Sequence, residues 1–222
     1  MFGNPDVRGE RATAPSDLTC NIYVVSDSND DRASLQALLS GHFRGIVRGF
    51  RSDCAFLEEA DDLGPGVLLV DGDMPGSSGM DVLHATSRLG GKFVAIMLSG
   101  KASVALAVAA MKANAADFVE RPCRPAELIA AVETALSSLH RQQEAGQRAK
   151  LAKANLAKLS GRETEVLKGL IDGRPNKQIA QELNLSHRTV EIYRANLMEK
   201  LGVRSLSEAL RIAFTAGLFP EA

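Results

Sequence analysis

The sequence predicts a five-stranded, doubly wound parallel α/β sheet followed by a smaller all-helical domain. Five short apolar runs alternate with helical patterns between about residues 20 and 139, whereas residues 159–222 show helical patterns only. At 222 residues the chain is long enough for two separate cores. Charge divides along the same line: residues 1–139 carry 12 basic and 18 acidic side chains, and residues 140–222 carry 14 and 9.

The α/β assignment depends on five strand-like runs, each followed by a helical pattern. The runs are NIYVV, GIVRGF, GVLLVD, FVAIMLS and ADFVE, and the helical patterns begin around Asp30, Ser52, Gly79, Ala102 and Arg124. Repeated β–α units place parallel strands between two layers of helices. Ligands of such sheets bind beyond the carboxyl ends of the strands.

Polar side chains follow four of these strands at that edge. Asp27 comes after the first strand, Asp71 ends the third, Ser99 ends the fourth and Arg121 comes after the fifth. Any one of them would be an ordinary loop residue. Together they suit a carboxylate that accepts a phosphoryl group, with a divalent metal, a hydroxyl and a cation to balance the phosphate charge.

The C-terminal region is punctuated as short helices. Ser160 and Glu163 form a capping box, and a second helix is predicted from about Asn176 to Leu183. After a left-handed turn at Asn184, Ser186 caps a third helix that ends at Gly202. Short helical spacing alone permits an ordinary helical hairpin, but this order is typical of a helix-turn-helix whose second helix enters the DNA major groove.

The two faces of the third helix favour binding of double-stranded DNA. One face is apolar, and the opposite face carries small and hydrogen-bonding groups that suit base edges. The basic balance of this half favours contact with phosphates. The candidate DNA-binding residues are Lys177, Arg188, Thr189, Glu191, Ile192, Arg194, Ala195, Asn196 and Lys200.

The N-terminal region resembles a response-regulator receiver. The resemblance is carried by VDGDMPGSSGMDVL, AIMLSG and DFVERPC. It implies that Asp71 is the phosphoacceptor, that Ser99 and Phe118 are the switch hydroxyl and aromatic, and that the Arg121-Pro122 bond is cis. It further implies that Mg²⁺ binds to Asp27, Asp71 and the backbone carbonyl of Asp73.

The C-terminal region resembles the LuxR-type DNA-binding domain through RETEVL, PNKQIA and RTVEIYRANLMEKL. Nearly all of residues 20–220 therefore resembles a FixJ-like two-domain regulator. This resemblance implies a cytoplasmic two-component transcriptional regulator, not an enzyme, that a sensor histidine kinase phosphorylates and that acts as a homodimer.

The predicted pocket departs from the family pattern at two positions. Ser26-Asp27-Ser28 stands where the family has adjacent acids, and Arg121 stands where it has lysine. Loss of a carboxylate should weaken Mg²⁺ binding, although Asp30, Asp31 or Asp73 could restore some charge. The alternative is a receiver that is not efficiently phosphorylated and acts through dimerisation or a partner protein. A phosphatase of the haloacid-dehalogenase type, suggested by Asp71-Gly-Asp73, is a weaker alternative.

The predicted organisation has four parts. Residues 1–19 form a disordered tail, 20–139 the receiver, 140–158 a helical linker and 159–222 the DNA-binding domain. The fourth receiver helix, from Val104 to Ala113, is apolar on nearly every side, which indicates a partner contact, and the resemblance implies that this contact forms a dimer. Cys20, Cys54 and Cys123 form no paired framework, which favours free thiols. No apolar run is long enough to span a membrane.

Overall fold

The computed structural model of the protein describes residues 20–74, 79–101 and 103–218. The predicted tail at residues 1–19 and Pro75 of the phosphorylation motif lie outside the described residues. The chain divides into two compact units, one ending at Gln142 and the other beginning at Gln143.

The first unit contains a five-stranded sheet in which every neighbouring pair of strands is parallel. The strand order is β2-β1-β3-β4-β5, so the chain crosses over between β2 and β3. The predicted doubly wound sheet is therefore confirmed. The strands are β1 (Cys20–Val25), β2 (Gly45–Phe50), β3 (Gly66–Asp71), β4 (Phe93–Ser99) and β5 (Asp117–Glu120).

Within the described residues, the helices that accompany these strands are α1 (Asn29–His42), α2 (Asp53–Leu57), α3 (Gly79–Ser87), α4 (Val104–Lys112) and α5 (Pro125–Leu156). Side chains of α1 and α5 share one hydrophobic core with alternate strand residues, and side chains of α2, α3 and α4 share a second core. Serine hydroxyls cap three of the helices, at Ser28, Ser52 and Ser103. The sheet is therefore covered on both faces, and its carboxyl edge is left for polar residues.

Gly79 brings the start of α3 unusually close to the end of β3. A Cβ atom built on Gly79 would lie 2.8 Å from the carbonyl oxygen of Asp71 and 3.1 Å from the Cα atom of Gly72. Both contacts are with backbone, which cannot move aside as a flexible side chain can. Only glycine fits at this position without displacing the end of the strand.

The second unit is helical around a single core. After the end of α5 it contains α6 (Gly161–Ile171), α7 (Asn176–Glu182), α8 (His187–Leu201) and α9 (Leu206–Thr215). Side chains from all four of these helices meet in the interior, including Leu167, Ile179, Val190, Leu197 and Ala209. Because α7 and α8 are joined by a short turn and both pack on α6, this unit has the predicted helix-turn-helix arrangement.

Local signals in the sequence place the ends of these helices. The capping box of Ser160 and Glu163 is present, and Ser186 caps α8. Asn184 has a φ of 54°, as predicted for the left-handed turn, and Gly202 ends α8 with a φ of 68°. A left-handed backbone conformation costs glycine and asparagine less free energy than it costs other residues. Asn184 therefore suits the turn before α8, and Gly202 suits the end of α8.

In the described part of the chain, no helix is long and apolar enough to cross a membrane. All three cysteines are free thiols, as predicted. Burial raises the pKa of the Cys20 thiol, which packs in the first core of the sheet.

Candidate functional site

Three buried polar side chains lie at the carboxyl edge of the sheet. Asp71 and Ser99 are the last residues of β3 and β4. Val25 pairs with Val70, so Ser26, the residue after β1, lies level with Asp71. Ser26, Asp71 and Ser99 are all buried, at 1%, 4% and 0% exposure. Buried polar groups require partners, and each of these three has one.

Both carboxylate oxygens of Asp71 accept hydrogen bonds. The Ser26 hydroxyl donates to Oδ2 at 2.9 Å. The Nη2 atom of Arg121 donates to Oδ1 at 2.6 Å, and the backbone N–H of Asp73 donates to the same oxygen at 3.0 Å. The negative charge of Asp71 is therefore compensated by one full cation and two neutral donors.

Arg121 bridges three carboxylates. Its Nη1 atom donates to Asp31 at 3.0 Å, its Nη2 atom bonds Asp71, and Nη2 also lies 3.7 Å from an oxygen of Asp73. Burial alone would lower the pKa of Arg121, but the hydrogen bond and charge of Asp71, with Asp31 and Asp73, raise it above its usual value. The Arg121-Pro122 peptide bond is cis, as the resemblance implies.

Asp73 takes the remaining donors of the pocket. The Ser99 hydroxyl donates to its Oδ1 at 3.1 Å, and the Gly100 N–H donates to its Oδ2 at 2.5 Å. Burial would raise the pKa of Asp73, but the Gly100 N–H, the Ser99 hydroxyl and the charge of Arg121 together lower it. Ser99 is thus linked to Asp71 through Asp73 and Arg121 rather than directly.

Two further predicted residues lie at the margin of this network. Asp27 is exposed and, within the described residues, makes none of the hydrogen bonds or ion pairs of the pocket. Asp31, in the first turn of α1, reaches Arg121 instead. Phe118 is half-buried in β5 and packs against the second core of the sheet.

The second candidate site is the exposed face of α8. Val190, Leu197 and Leu201 are buried, and Tyr193 packs against them. The opposite face carries exposed residues, namely Arg188, Glu191, Ile192, Ala195, Asn196 and Glu199. Ile192 is 52% exposed although it is a large apolar residue, and an apolar side chain at this position suits contact with a thymine methyl. The predicted division of the helix into an inner and an outer face is therefore observed.

The predicted DNA-binding residues differ in whether their polar groups are already bonded to other residues of the domain. Lys177 and Arg188 are exposed. The Nζ atom of Lys200 donates to buried Glu163 at 2.7 Å, and Arg194 donates to the Asn176 side chain at 2.8 Å. The Thr189 hydroxyl is 2.7 Å from that of the cap residue Ser186. The side chains of Lys200, Arg194 and Thr189 therefore already have polar partners within the domain in this structure.

Comparison with known proteins identifies the family of both domains. Residues 22–133 match the family described as response regulator receiver domain, and residues 157–213 match that described as bacterial regulatory proteins, luxR family. The transcriptional regulatory protein FixJ of Azorhizobium caulinodans is 39% identical over 200 residues, which are 90% of this chain and 94% of that protein. The chain belongs to the FixJ-like response regulators. It is a two-component transcriptional regulator with a receiver and a LuxR-type DNA-binding domain.

Other FixJ-like regulators are similar over comparable lengths. Nodulation protein W of Bradyrhizobium diazoefficiens is 33% identical over 221 residues, covering 98% of this chain and 96% of that protein. The crystal structure of full-length FixJ from B. japonicum is 38% identical, covers 91% of this chain and all of that one, and has a TM-score of 0.54. The response regulator StyR is 32% identical, with a TM-score of 0.71 and coverage of 89% of this chain and 99% of that one.

Receiver domains generally bind Mg²⁺ for phosphorylation, and the donor set of this FixJ-like receiver fits that ion poorly. Ser26 offers a hydroxyl that already donates to Asp71, and the Asp71 oxygens are engaged with Ser26, Arg121 and the Asp73 N–H. In the described part of the chain, no group of three or more His, Cys, Asp or Glu side chains is arranged to hold a metal ion. Hard cations depend on free anionic oxygens, which are scarce here.

Three features of the sites were not predicted. They are the hydrogen bond from Ser26 to Asp71, the ion pair between Arg121 and Asp31, and the ion pair between Lys200 and Glu163. The sequence did contain one signal for the first, because Ser26 directly follows a buried strand at the same level as Asp71. The other two join residues 90 and 37 positions apart, and no local pattern indicates them.

Proposed function

We propose that Asp71 accepts a phosphoryl group from a sensor histidine kinase and that this modification controls dimerisation and DNA binding. The observation that carries the proposal is the position of Asp71. It is a buried carboxylate at the carboxyl edge of the sheet, and Ser26, Arg121 and the Asp73 N–H all donate to it. Donors already directed at the carboxylate are suited to stabilise added negative charge at the same place.

In the transfer step, one carboxylate oxygen of Asp71 forms a bond to phosphorus while the bond between phosphorus and the kinase histidine nitrogen breaks. The electron pair of that bond stays with the imidazole, which then takes up a proton. Oδ2 is the better nucleophile, because it must give up only the Ser26 hydroxyl, which can rotate away. Oδ1 would have to give up Arg121 and the Asp73 N–H. The phosphoryl group would then be carried on the Ser26 side of the carboxylate, while Arg121 and the Asp73 N–H keep their bonds to Oδ1.

The output step would be binding of α8 in the major groove of double-stranded DNA. Arg188 and Lys177 would contact phosphates, and Ile192, Ala195 and Asn196 would contact base edges. The proposed homodimer contact is α4, where Val104, Val108 and Met111 are 83%, 47% and 52% exposed. Exposed apolar groups on one helix favour association.

The phosphorylation test is the intact mass of the full chain after incubation with a small acyl phosphate donor in buffer containing MgCl₂. The wild-type chain should gain the mass of one phosphoryl group. Asp71→Asn should gain nothing, because an amide cannot form the acyl phosphate. Asp62→Asn is the matched control, since Asp62 is exposed and lies away from the pocket, and this variant should behave like the wild type.

A second candidate is a receiver that regulates without phosphorylation, through dimerisation or a partner protein. The observation that favours it is that both oxygens of Asp71 are already bonded. The deciding variant combines Ser26→Asp with Arg121→Lys, which restores the family residues. If this variant takes up phosphate and the wild type does not, the second candidate holds. Uptake by neither would mean that the pocket is wrongly placed.

The DNA-binding test is the salt dependence and sequence preference of the full chain on duplex DNA. Lys177→Ala should reduce the slope of log K against log salt by about one, as expected for one lost phosphate contact. Arg88→Ala removes the same charge at an exposed position of the receiver, and it should leave the slope unchanged. Asn196→Ala should change discrimination at one base pair by about 1–3 kcal/mol. Equal weakening on all sequences would contradict the assignment of α8.

Homodimerisation can be read from the same DNA. Two recognition helices related by a twofold axis require half-sites about 34 Å apart. Footprinting at saturation should therefore show two protected half-sites. Protection of a single half-site would contradict the proposed dimer.

A further inference from the structure

The cation of the receiver pocket is part of the chain itself. The Arg121 guanidinium lies 2.6 Å from Asp71, 3.0 Å from Asp31 and 3.7 Å from Asp73. Its side chain is only 23% exposed. Asp31, Asp71 and Asp73 thus share one half-buried guanidinium as their cation.

A divalent ion would have to compete with this guanidinium for the same oxygens. Mg²⁺ binds oxygen at about 2.0–2.1 Å in near-octahedral geometry, so it would lie next to nitrogens that are already 2.6 Å from Asp71. The two cations would repel each other strongly at that distance. A lysine ammonium is compact and flexible enough to move aside, whereas the planar guanidinium bonds two carboxylates at once.

Most of the other oxygens that could bind a metal in this pocket already take part in hydrogen bonds. Ser26 contributes no charge, and its hydroxyl hydrogen is directed at Asp71. Both oxygens of Asp73 accept hydrogen bonds, one from Ser99 and one from the Gly100 N–H. Asp27 is exposed and outside the network. At Asp71 and Asp73 a metal would therefore meet oxygens that already accept hydrogen bonds from the chain itself.

We propose that Arg121 is the resident cation of this pocket and that it takes the place of a bound divalent metal. The proposal concerns cation binding alone, so it stands whether or not Asp71 accepts a phosphoryl group. It also explains why this chain departs from the family pattern at both Ser26 and Arg121. Without a metal, the acid that the family has at the position of Ser26 is not needed. The charge of the remaining carboxylates still has to be balanced, and Arg121 does this.

The test is the melting temperature of the full chain in EDTA and in millimolar MgCl₂ at matched ionic strength. The wild-type chain should melt at the same temperature in both buffers. Arg121→Ala should melt lower in EDTA, because three carboxylates lose their shared partner. Mg²⁺ should then raise its melting temperature by about 4 °C or more, since a ligand that binds only the folded state stabilises it.

Two further variants make the result specific. Arg124→Ala removes the same charge at an exposed position three residues away, and it should show no response to Mg²⁺. The double variant Ser26→Asp with Arg121→Lys keeps a cation but restores the acid, and it should gain a response even if Arg121→Ala does not fold. The proposal is overturned if Mg²⁺ stabilises the wild type as much as the double variant. It is also overturned if neither pocket variant responds.

Discussion

Asp71 in the receiver and Glu163 in the DNA-binding domain are two buried carboxylates, each held by a basic side chain from a distant part of the sequence. Asp71 is 4% exposed and lies 2.6 Å from Arg121, and Glu163 is 3% exposed and lies 2.7 Å from Lys200. Their surroundings differ. Arg121 also serves Asp31 and Asp73, whereas a single oxygen of Glu163 accepts from both Lys200 and the Ser160 N–H.

A buried carboxylate paired with a basic side chain can therefore stabilise a fold in one setting and be suited to chemistry in another. Glu163 begins a helix inside a core of apolar side chains, and its bonds close the first turn of α6. Asp71 ends a strand at an edge where the neighbours are polar, and its cation has other partners. Loss of Glu163 should therefore reduce stability mainly, and loss of Asp71 should change function mainly.

The largest expected effect on stability comes from Glu163→Ala. This change removes the capping box, leaves the Ser160 N–H without its acceptor and frees Lys200. We expect the free energy of unfolding of the DNA-binding domain to fall by about 2 kcal/mol, because Lys200 is 42% exposed and its share is reduced by solvent. Urea unfolding of the full chain followed by circular dichroism would measure it.

Glu165→Ala is the matched control for that change. Glu165 lies one half-turn away on the exposed side of α6 and pairs with Arg162 at the surface. Surface pairs of this kind contribute a few tenths of a kcal/mol. Equal losses in the two variants would contradict a structural role for Glu163.

Asp71→Asn should have a smaller effect on stability. The amide oxygen can still accept from Arg121 and the Asp73 N–H, the Ser26 hydroxyl can rotate to accept from the amide NH₂, and Arg121 keeps Asp31 and Asp73 as partners. We expect a loss of about 1 kcal/mol or less in the receiver, measured by the same unfolding experiment. A loss larger than that of Glu163→Ala would mean that the pocket, not the helix cap, is the structural site.

The smallest predicted effect is on how the free energy of unfolding changes with pH in acid. The hydrogen bond from Lys200, followed by that from the Ser160 N–H, lowers the pKa of Glu163 below its ordinary value of 4.5. A lowered pKa in the folded state stabilises the protein above the unfolded value, and that contribution is lost as pH falls through the folded value. The difference in free energy of unfolding between wild type and Glu163→Gln should be constant from neutral pH to about pH 5 and then narrow in stronger acid. A constant difference throughout would contradict this assignment.

The order of strands and helices was predictable because its signals are local. These signals are the spacing of apolar residues, the serines at helix starts (Ser28, Ser52 and Ser103) and Asn184 at a turn. Each of them acts within a few residues. The inner and outer faces of α8 follow from the same helical period. These features need no knowledge of which distant segments meet.

The contacts within the pocket were only partly predictable. Parallel strands bring Asp71, Ser99 and Arg121 to one edge, and the sequence indicated all three. It could not indicate that Asp31 rather than Asp27 would reach Arg121, because that depends on how α1 enters after β1. Nor could it show that Lys200, a predicted phosphate contact, pairs with Glu163.

Gly79 has a consequence for how substitutions in this protein will be read. It carries no side chain and takes no part in the chemistry, yet a Cβ atom at this position would lie only 2.8 Å from the carbonyl oxygen of Asp71. Alanine there would press on the backbone that carries Asp71. In a saturation screen of signalling output, Gly79 should therefore group with the pocket rather than with the helices. An inactive allele at this position would report displacement of Asp71, not loss of a functional group.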